Sequence, residues 1–200
     1  MLARGILSAQ TPVAASRDES KLLTAEGIVQ VFAINGTGWL AANTNQTLRL
    51  GERLRTGPNS RATVRLSELT VLRVNELTTL QIQAPTRPGK QSLLDVNSGS
   101  AYFFSREKPA QQEFRTPLTS GAIRGTEFNL AVAADGRTVV TLIDGEVSLS
   151  NALGQLDMAS GEQAAVEAGK APVKTAMLEA INIINGASTT RAYWMRTNWN

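Results

Sequence analysis

Residues 128–140 have the sequence Phe-Asn-Leu-Ala-Val-Ala-Ala-Asp-Gly-Arg-Thr-Val-Val, and this stretch decides the fold class. From Phe128 to Val132 a large apolar side chain occupies every second position, so the large side chains share one face of an extended chain. Asp135-Gly136 follows, and this dipeptide tolerates positive φ and supports a tight turn. The next residues are again typical of a strand. The stretch therefore predicts an antiparallel β-hairpin.

The same pattern continues on both sides of this hairpin, from Thr24 to Val166. Alternation recurs in residues 62–67 and 80–84, and Gly, Asn, Asp and Pro separate the runs. Asp144-Gly145 is predicted to form a second hairpin turn, and Asn35-Gly36 a third. About ten to twelve short strands at this spacing are typical of a sandwich or barrel. We therefore expect an all-β fold, an antiparallel domain of the jelly-roll or β-sandwich type.

The two ends of the chain differ from this β-rich region, which we place at residues 25–168. Residues 1–24 are expected outside the fold, either as a disordered tail or as a partial signal peptide with an apolar segment that is too short. Residues 169–200 are expected to form a short helix, Pro172–Ile184, and a polar tail that begins at Asn185. The apolar residues on one face of this helix are Ala176, Met177, Ala180, Ile181 and Ile184.

The composition excludes several classes of function. Among 200 residues there is no Cys and no His, which excludes disulfides, thiolate metal sites and catalytic triads. A net charge of +3 does not indicate nucleic-acid binding, and no apolar run is long enough to cross a membrane. A carboxylate hydrolase using Glu127, Asp144 and Glu146 would need a shared cleft that the sequence does not indicate. We therefore expect that the protein is not an enzyme and that it binds no cofactor and no metal.

The first candidate site is the motif Arg124-Gly125-Thr126-Glu127. A strand is predicted to break at Pro117, and a loop of small residues leads to a new strand at Thr126. Arg124 and Glu127 could act together on a ligand. Alternatively, they pair with each other and fix the path of the loop, while Gly125 allows close approach of another backbone. The sequence favours the structural interpretation.

The second candidate is a basic face formed by Arg53, Arg55, Arg61 and Arg65. On alternating strands these arginines could share one outward surface. Such a surface could hold an acidic partner or a sulfated or phosphorylated glycan. It could equally be the solvated side of a sheet, where charge prevents edge-to-edge aggregation.

An ordered set of motifs resembles the iron-citrate regulator (FecR) domain family over residues 27–166. The set begins with Leu-x-Leu-Gly-Glu-x-Leu-x-Thr-Gly-x-Asn-Ser-Arg-Ala-x-Val at 48–64 and includes Arg-Gly-Thr-Glu-Phe-Asn-Leu at 124–130. Its other members lie at residues 98–103, 114–117, 144–149 and 161–164. The resemblance implies an extracytoplasmic all-β domain of jelly-roll type. In founding members this domain receives a signal from an outer-membrane transporter and passes it to a cytoplasmic sigma factor.

This sequence departs from the founding members because it shows neither their cytoplasmic helical segment nor a transmembrane helix. The resemblance therefore implies a stand-alone or truncated relative, and sigma-factor regulation is not carried over. We expect a non-enzymatic periplasmic or secreted module for protein interaction or signal relay, with an incomplete export signal in this chain. Its expected partner is an envelope protein or glycan. The alternative is a structural or glycan-binding β domain of the cell envelope.

Overall fold

A computed structural model describes residues 20–67, 69–83, 93–106 and 111–176. Every regular element in these ranges is a strand, which confirms the all-β prediction, and none of the described residues forms a helix that could cross a membrane. The strands are β1 Ser20–Glu26, β2 Val29–Phe32, β3 Trp39–Ala41, β4 Thr47–Leu48, β5 Arg53–Thr56, β6 Arg61–Ser67, β7 Thr70–Val74, β8 Thr79–Gln83, β9 Leu93–Ser105, β10 Gln111–Arg115, β11 Ser120–Val132, β12 Thr138–Asn151, β13 Gly154–Ala159, β14 Gln163–Val166 and β15 Val173–Thr175.

The strands form one continuous, mostly antiparallel sheet. One path of pairings has the order β15-β14-β12-β11-β10-β9-β7-β6-β1-β4. A branch from β9 runs through β8, β5 and β2 to β3, and β13 pairs with β12. β9 and β10 are parallel, while the other described pairs are antiparallel. The jelly-roll connectivity stays a prediction.

The three longest strands, β9, β11 and β12, each change partners at or near a glycine. β9 pairs with β8 before Gly99 and with β7 after it. β11 pairs with β10 before Gly125 and with β9 after it. β12 pairs with β14 before Gly145 and with β13 after it. These changes divide the sheet into a first half, which contains β3, β2, β5, β8, β10 and β13, and a second half, which contains β4, β1, β6, β7, β14 and β15.

A single core joins the two halves. The rings of Phe103 and Phe128 stack with their centroids 4.8 Å apart on neighbouring strands of the second half. Phe114 comes from β10 in the first half, yet its ring centroid lies only 6.2 Å from that of Phe128. All three rings are at most 1% exposed. Burial of aromatic and aliphatic side chains between the halves is therefore the main stabilising contribution to the fold.

The structure confirms two of the predicted turns and corrects the third. Asp135-Gly136 connects β11 to β12, with Gly136 at φ +85°, and Asn35-Gly36 lies in the β2–β3 connection. Asp144-Gly145 is not a turn, because both residues lie inside the long strand β12. Gly145 does adopt a positive φ, +125°. The dipeptide supplies the backbone freedom that was expected, and the fold uses it to bend a strand.

The N-terminal boundary of the sheet lies earlier than predicted. β1 begins at Ser20, and Leu22 has no exposed surface. The backbone of Leu22 exchanges hydrogen bonds with residues 45 and 46. Residues 20–24 therefore belong to the fold and not to the predicted tail. Their alternation is too short to identify without the strands that pair with them.

The C-terminal helix prediction is wrong at its start. Val173–Thr175 forms β15, which pairs with β14, so the sheet also extends past the predicted boundary at residue 168. The free edge of β14 offers backbone partners that a short isolated helix would lack. Val173 and Thr175 are also β-branched, which favours a strand. The rest of the predicted helix, 177–184, and the polar tail lie outside the described residues.

Candidate functional site

The motif 124–127 lies inside strand β11 and not in a loop. The turn after Pro117 is short: the Thr116 amide donates to the Thr119 carbonyl at 2.8 Å, and β11 begins at Ser120. Gly121 then packs beneath the ring of Phe114, where a Cβ would come within 2.2 Å of ring carbon. The predicted loop of small residues is therefore a strand whose small side chains make room for their neighbours.

Arg124 and Glu127 do not pair with each other. Arg124 is exposed on the outer face of β11, while Glu127 accepts a hydrogen bond from the Tyr102 hydroxyl on β9. Burial raises the pKa of the Glu127 carboxyl above its usual range, and the nearby charge of Asp144 raises it further. Thr126 donates a hydrogen bond to Asp144. The motif therefore has a structural part, residues 125–127, and an exposed part, Arg124.

The carboxylates considered for catalysis are partly brought together. Glu127 and Asp144 are register partners on β11 and β12, while Glu146 lies opposite Arg124 on the other side of the Gly145 bend. The described residues contain no group of three or more carboxylates placed to hold a metal ion. Glu127 accepts a hydrogen bond from the Tyr102 hydroxyl, so the Glu127–Asp144 pair lies in a structural environment.

A groove of about 630 Å³ crosses the outer face of the first half over β10, β11, β12 and β13. Strand register explains its shape. Ala122 on β11 pairs with Ser148 on β12, and these small side chains form the floor. Arg124 and Glu146 form the next outward row on the same two strands. Because side chains two residues apart share a face, the long charged residues rise beside the small ones.

The rim of the groove carries charges of both signs. Arg124 and Lys174 are its basic residues, and Glu113, Glu146 and Asp157 are its acidic ones. The Lys174 ammonium lies 2.7 Å from a Glu162 carboxylate oxygen just outside the groove. That hydrogen bond, together with one from the Ala159 amide, lowers the pKa of Glu162.

A second cluster lies on β2, β3 and β5, and we call it the arginine–aromatic shelf: Phe32, Trp39, Arg53 and Arg55. The Arg53 guanidinium lies 4.6 Å from the Phe32 ring centroid, and that of Arg55 lies 4.2 Å from the Trp39 ring centroid. Arg55 also donates to the Gln30 side-chain oxygen at 2.8 Å. These contacts fix the direction in which both cations point.

The predicted basic face is divided between two regions. Arg53 and Arg55 lie on β5, which pairs with β2 and β8, whereas Arg61 and Arg65 lie on β6, which pairs with β1 and β7. β5 and β6 follow each other in the chain but are not hydrogen-bonded neighbours. The four arginines therefore do not form one surface on adjacent strands, and only the first two are joined to aromatic rings.

Sequence reasoning missed most of both sites. Phe32 and Trp39 carried no signal by themselves, because half-buried aromatics on short strands are common in β domains. Glu113, Asp157 and Lys174 come from β10, β13 and β15, three strands that do not pair with one another, so local patterns do not bring them together. Only the alternation of Ala122 and Arg124 on one strand could have indicated the groove.

Comparison with known families identifies the β domain. Residues 52–148 match the model of the family described as FecR protein. These residues belong to the FecR family. The match includes the motif 124–127 and most of the groove, although Asp157 and Lys174 lie beyond it. Comparison with curated proteins gives no match.

Two solved structures resemble the FecR domain in fold. Both are of a candidate anti-sigma factor from Parabacteroides distasonis ATCC 8503, at 1.65 Å and 2.50 Å resolution. Each is 19% identical with a TM-score of 0.52, over 62% of this chain and 58% of the other. The chain thus spans under two thirds of the length of these structures, and at this identity the likeness shows the fold alone.

Proposed function

We propose that this protein is a non-enzymatic signal-relay module that binds a protein partner in the groove over β10–β13. The observation that carries the proposal is the groove itself, which has a floor of small residues and a rim of both charges. An extended polypeptide fits such a floor, because Ala122 and Ser148 leave its backbone room. The mixed rim favours a polypeptide that carries both signs over nucleic acid, which needs clustered cations.

The position of Arg124 supports this proposal. The other residues of its motif pack within the fold, where Gly125 meets Gly145 and Glu127 meets Tyr102. Arg124 alone points outward and lies on the groove rim. Signal relay is supported by FecR membership and by the fold shared with a candidate anti-sigma factor.

The test combines thermal melting with partner capture. Tagged protein carrying a photo-crosslinking amino acid at Ser148 is irradiated in an envelope extract, and crosslinked proteins are identified by mass spectrometry. The partner is then purified and its Kd is measured for the original protein, Arg124→Ala and Ala122→Trp. Both side chains are exposed, so we expect each variant to melt within the range of ordinary surface substitutions, about 0.5 kcal/mol. We expect each to weaken partner binding by about tenfold or more.

Arg61→Ala is the matched control, because Arg61 is also an exposed arginine on a strand but lies outside the groove. It should melt and bind as the original protein does. Unchanged binding by both groove variants would contradict the proposal. A large loss of stability in Arg124→Ala with intact binding would instead make Arg124 a structural residue.

The extracytoplasmic location is part of the same proposal. Protease added to intact cells with a permeabilised outer envelope should digest the protein while a cytoplasmic marker survives. Protection equal to that of the marker would contradict this location. The alternative, a glycan-binding envelope domain, rested on four arginines acting together, and their division between two regions weakens it.

A further inference from the structure

The arginine–aromatic shelf lies next to an open strand edge. Among the described residues β3 pairs with β2 and with no other strand. The Ala42 amide donates to the Val29 carbonyl at 2.9 Å, and Leu40 is the register partner of Val31. Because hydrogen-bonded pairs alternate in an antiparallel ladder, the amides and carbonyls of Trp39 and Ala41 point away from β2.

This edge lacks the charged residues and the proline that often protect one. Residues 37–46 contain no charged residue and no proline, whereas natural edges are commonly protected by lysine, proline or a bulge. Leu40 is 68% exposed even though its register partner Val31 is buried. An added strand would cover Leu40 and would pair with the outward amides and carbonyls of Trp39 and Ala41.

The charge at this edge determines what kind of strand fits. β2 lies between β5 and β3, so at the usual strand spacing β5 and β3 are about 10 Å apart. Nevertheless Arg55 reaches across β2, and its guanidinium lies over the Trp39 ring. Within the described residues neither Arg53 nor Arg55 forms an ion pair. Two cations without carboxylate partners therefore lie over the face of the open edge.

We propose that β3 accepts an extended acidic segment of a partner protein as an additional antiparallel or parallel strand. The segment pairs with the outward amides and carbonyls of Trp39 and Ala41. Its acidic side chains, at every second position, reach the guanidiniums of Arg53 and Arg55. This surface is distinct from the groove over β10–β13, so the proposal does not depend on the function proposed for that groove.

A synthetic end-capped octapeptide of alternating glutamate and valine is the probe, and a lysine–valine octapeptide is its charge-reversed control. Binding is measured by titration calorimetry at low and physiological salt. Hydrogen exchange of the Trp39 and Ala41 amides is followed by NMR. We expect the acidic peptide to bind with an affinity that falls with salt, to slow exchange at both amides, and to exceed the lysine peptide in affinity by about tenfold or more.

Ala41→Pro separates strand addition from simple charge attraction. The Ala41 amide points outward, so proline removes a donor that the β2–β3 ladder does not use. We expect this variant to lose about tenfold in affinity. Peptide methylated at alternate backbone nitrogens makes the same test on the unaltered protein and should bind correspondingly weakly. Arg53→Gln with Arg55→Gln should also weaken binding about tenfold, whereas Arg61→Gln with Arg65→Gln should not.

Absence of binding by the acidic peptide would overturn the proposal. Equal binding of the methylated peptide, or unchanged exchange at Trp39 and Ala41, would also overturn it by excluding backbone pairing. Equal binding of the lysine peptide would exclude the role of the arginines. A sulfated oligosaccharide that binds more tightly than the peptide, with full affinity for Ala41→Pro, would show that the shelf is a glycan site instead.

Discussion

Replacement of Gly145 by alanine tests how the longest strands bend. Gly145 has φ +125°, and its Cα lies against Gly125 on the neighbouring strand. A Cβ at position 145 would lie 2.4 Å from the Gly125 Cα and 2.7 Å from the Arg124 carbonyl oxygen. Both atoms belong to the backbone, so no side-chain rotation can relieve the contact. The two strands would have to separate where each changes partners.

The expected cost has two independent parts. Ordinary contact begins near 3.4 Å, so the new methyl group overlaps the neighbouring backbone by about 1 Å. Overpacking of this kind costs about 1–3 kcal/mol. A non-glycine residue in a disfavoured positive-φ conformation costs about 1–3 kcal/mol more. We therefore expect Gly145→Ala to lower the free energy of unfolding by about 2–6 kcal/mol, a large share of the total for an ordinary domain.

Three other glycines separate these parts when the free energy of unfolding is measured by urea denaturation. Gly161 has φ +83° and open space around it, so Gly161→Ala reports backbone strain alone, about 1–2 kcal/mol. Gly125→Ala reports the close approach without a positive φ, about 1–3 kcal/mol. Gly38 has neither feature, and Gly38→Ala should change stability by less than about 0.5 kcal/mol.

The rank order of the stability losses in these variants tests the role of close packing at the bend. If Gly145→Ala costs no more than Gly161→Ala, close packing at the bend is not a determinant of stability and the reasoning is refuted. The double variant Gly125→Ala, Gly145→Ala adds a further check. Once one methyl group has separated the strands, the second should cost less, so the two losses should not add.

Two further predictions concern single side chains. The raised pKa of Glu127 means that its contribution to stability is fully present below about pH 4.5 and is lost as the pH rises through the folded-state value. Glu127→Gln keeps an acceptor for Tyr102, so its stability should depend less on pH in urea denaturation; an unchanged pH profile would contradict the assignment. Leu22 is completely buried, so Leu22→Ala should cost about 2–5 kcal/mol. The neighbouring, half-buried Leu23→Ala should cost clearly less, and equal losses would show that β1 does not contribute to the core.

Comparison of the predicted and observed sites shows which contacts neighbouring residues in the sequence could not predict. The sequence identified Arg124 and Gly125 as important and assigned a close backbone approach to Gly125, which the contact with Gly145 confirms. It could not tell that Glu127 turns to Tyr102 and not to Arg124, because β9 and β11 pair across more than twenty residues of chain. It also could not divide four arginines between two regions of the sheet.

By itself the sequence determined the all-β class, the turns at Asn35-Gly36 and Asp135-Gly136, and the resemblance to the FecR family, whose model matches residues 52–148. These features follow from alternation, dipeptide chemistry and ordered motifs, which are properties of neighbouring residues. Only the tertiary structure decided that Asp144-Gly145 bends a strand, that Val173–Thr175 joins the edge at β14, and that β3 has one edge unpaired among the described strands. Each of these depends on which strand lies alongside. Pairing and register are set by which side chains the strands bury together in a common core. Local sequence patterns do not encode this.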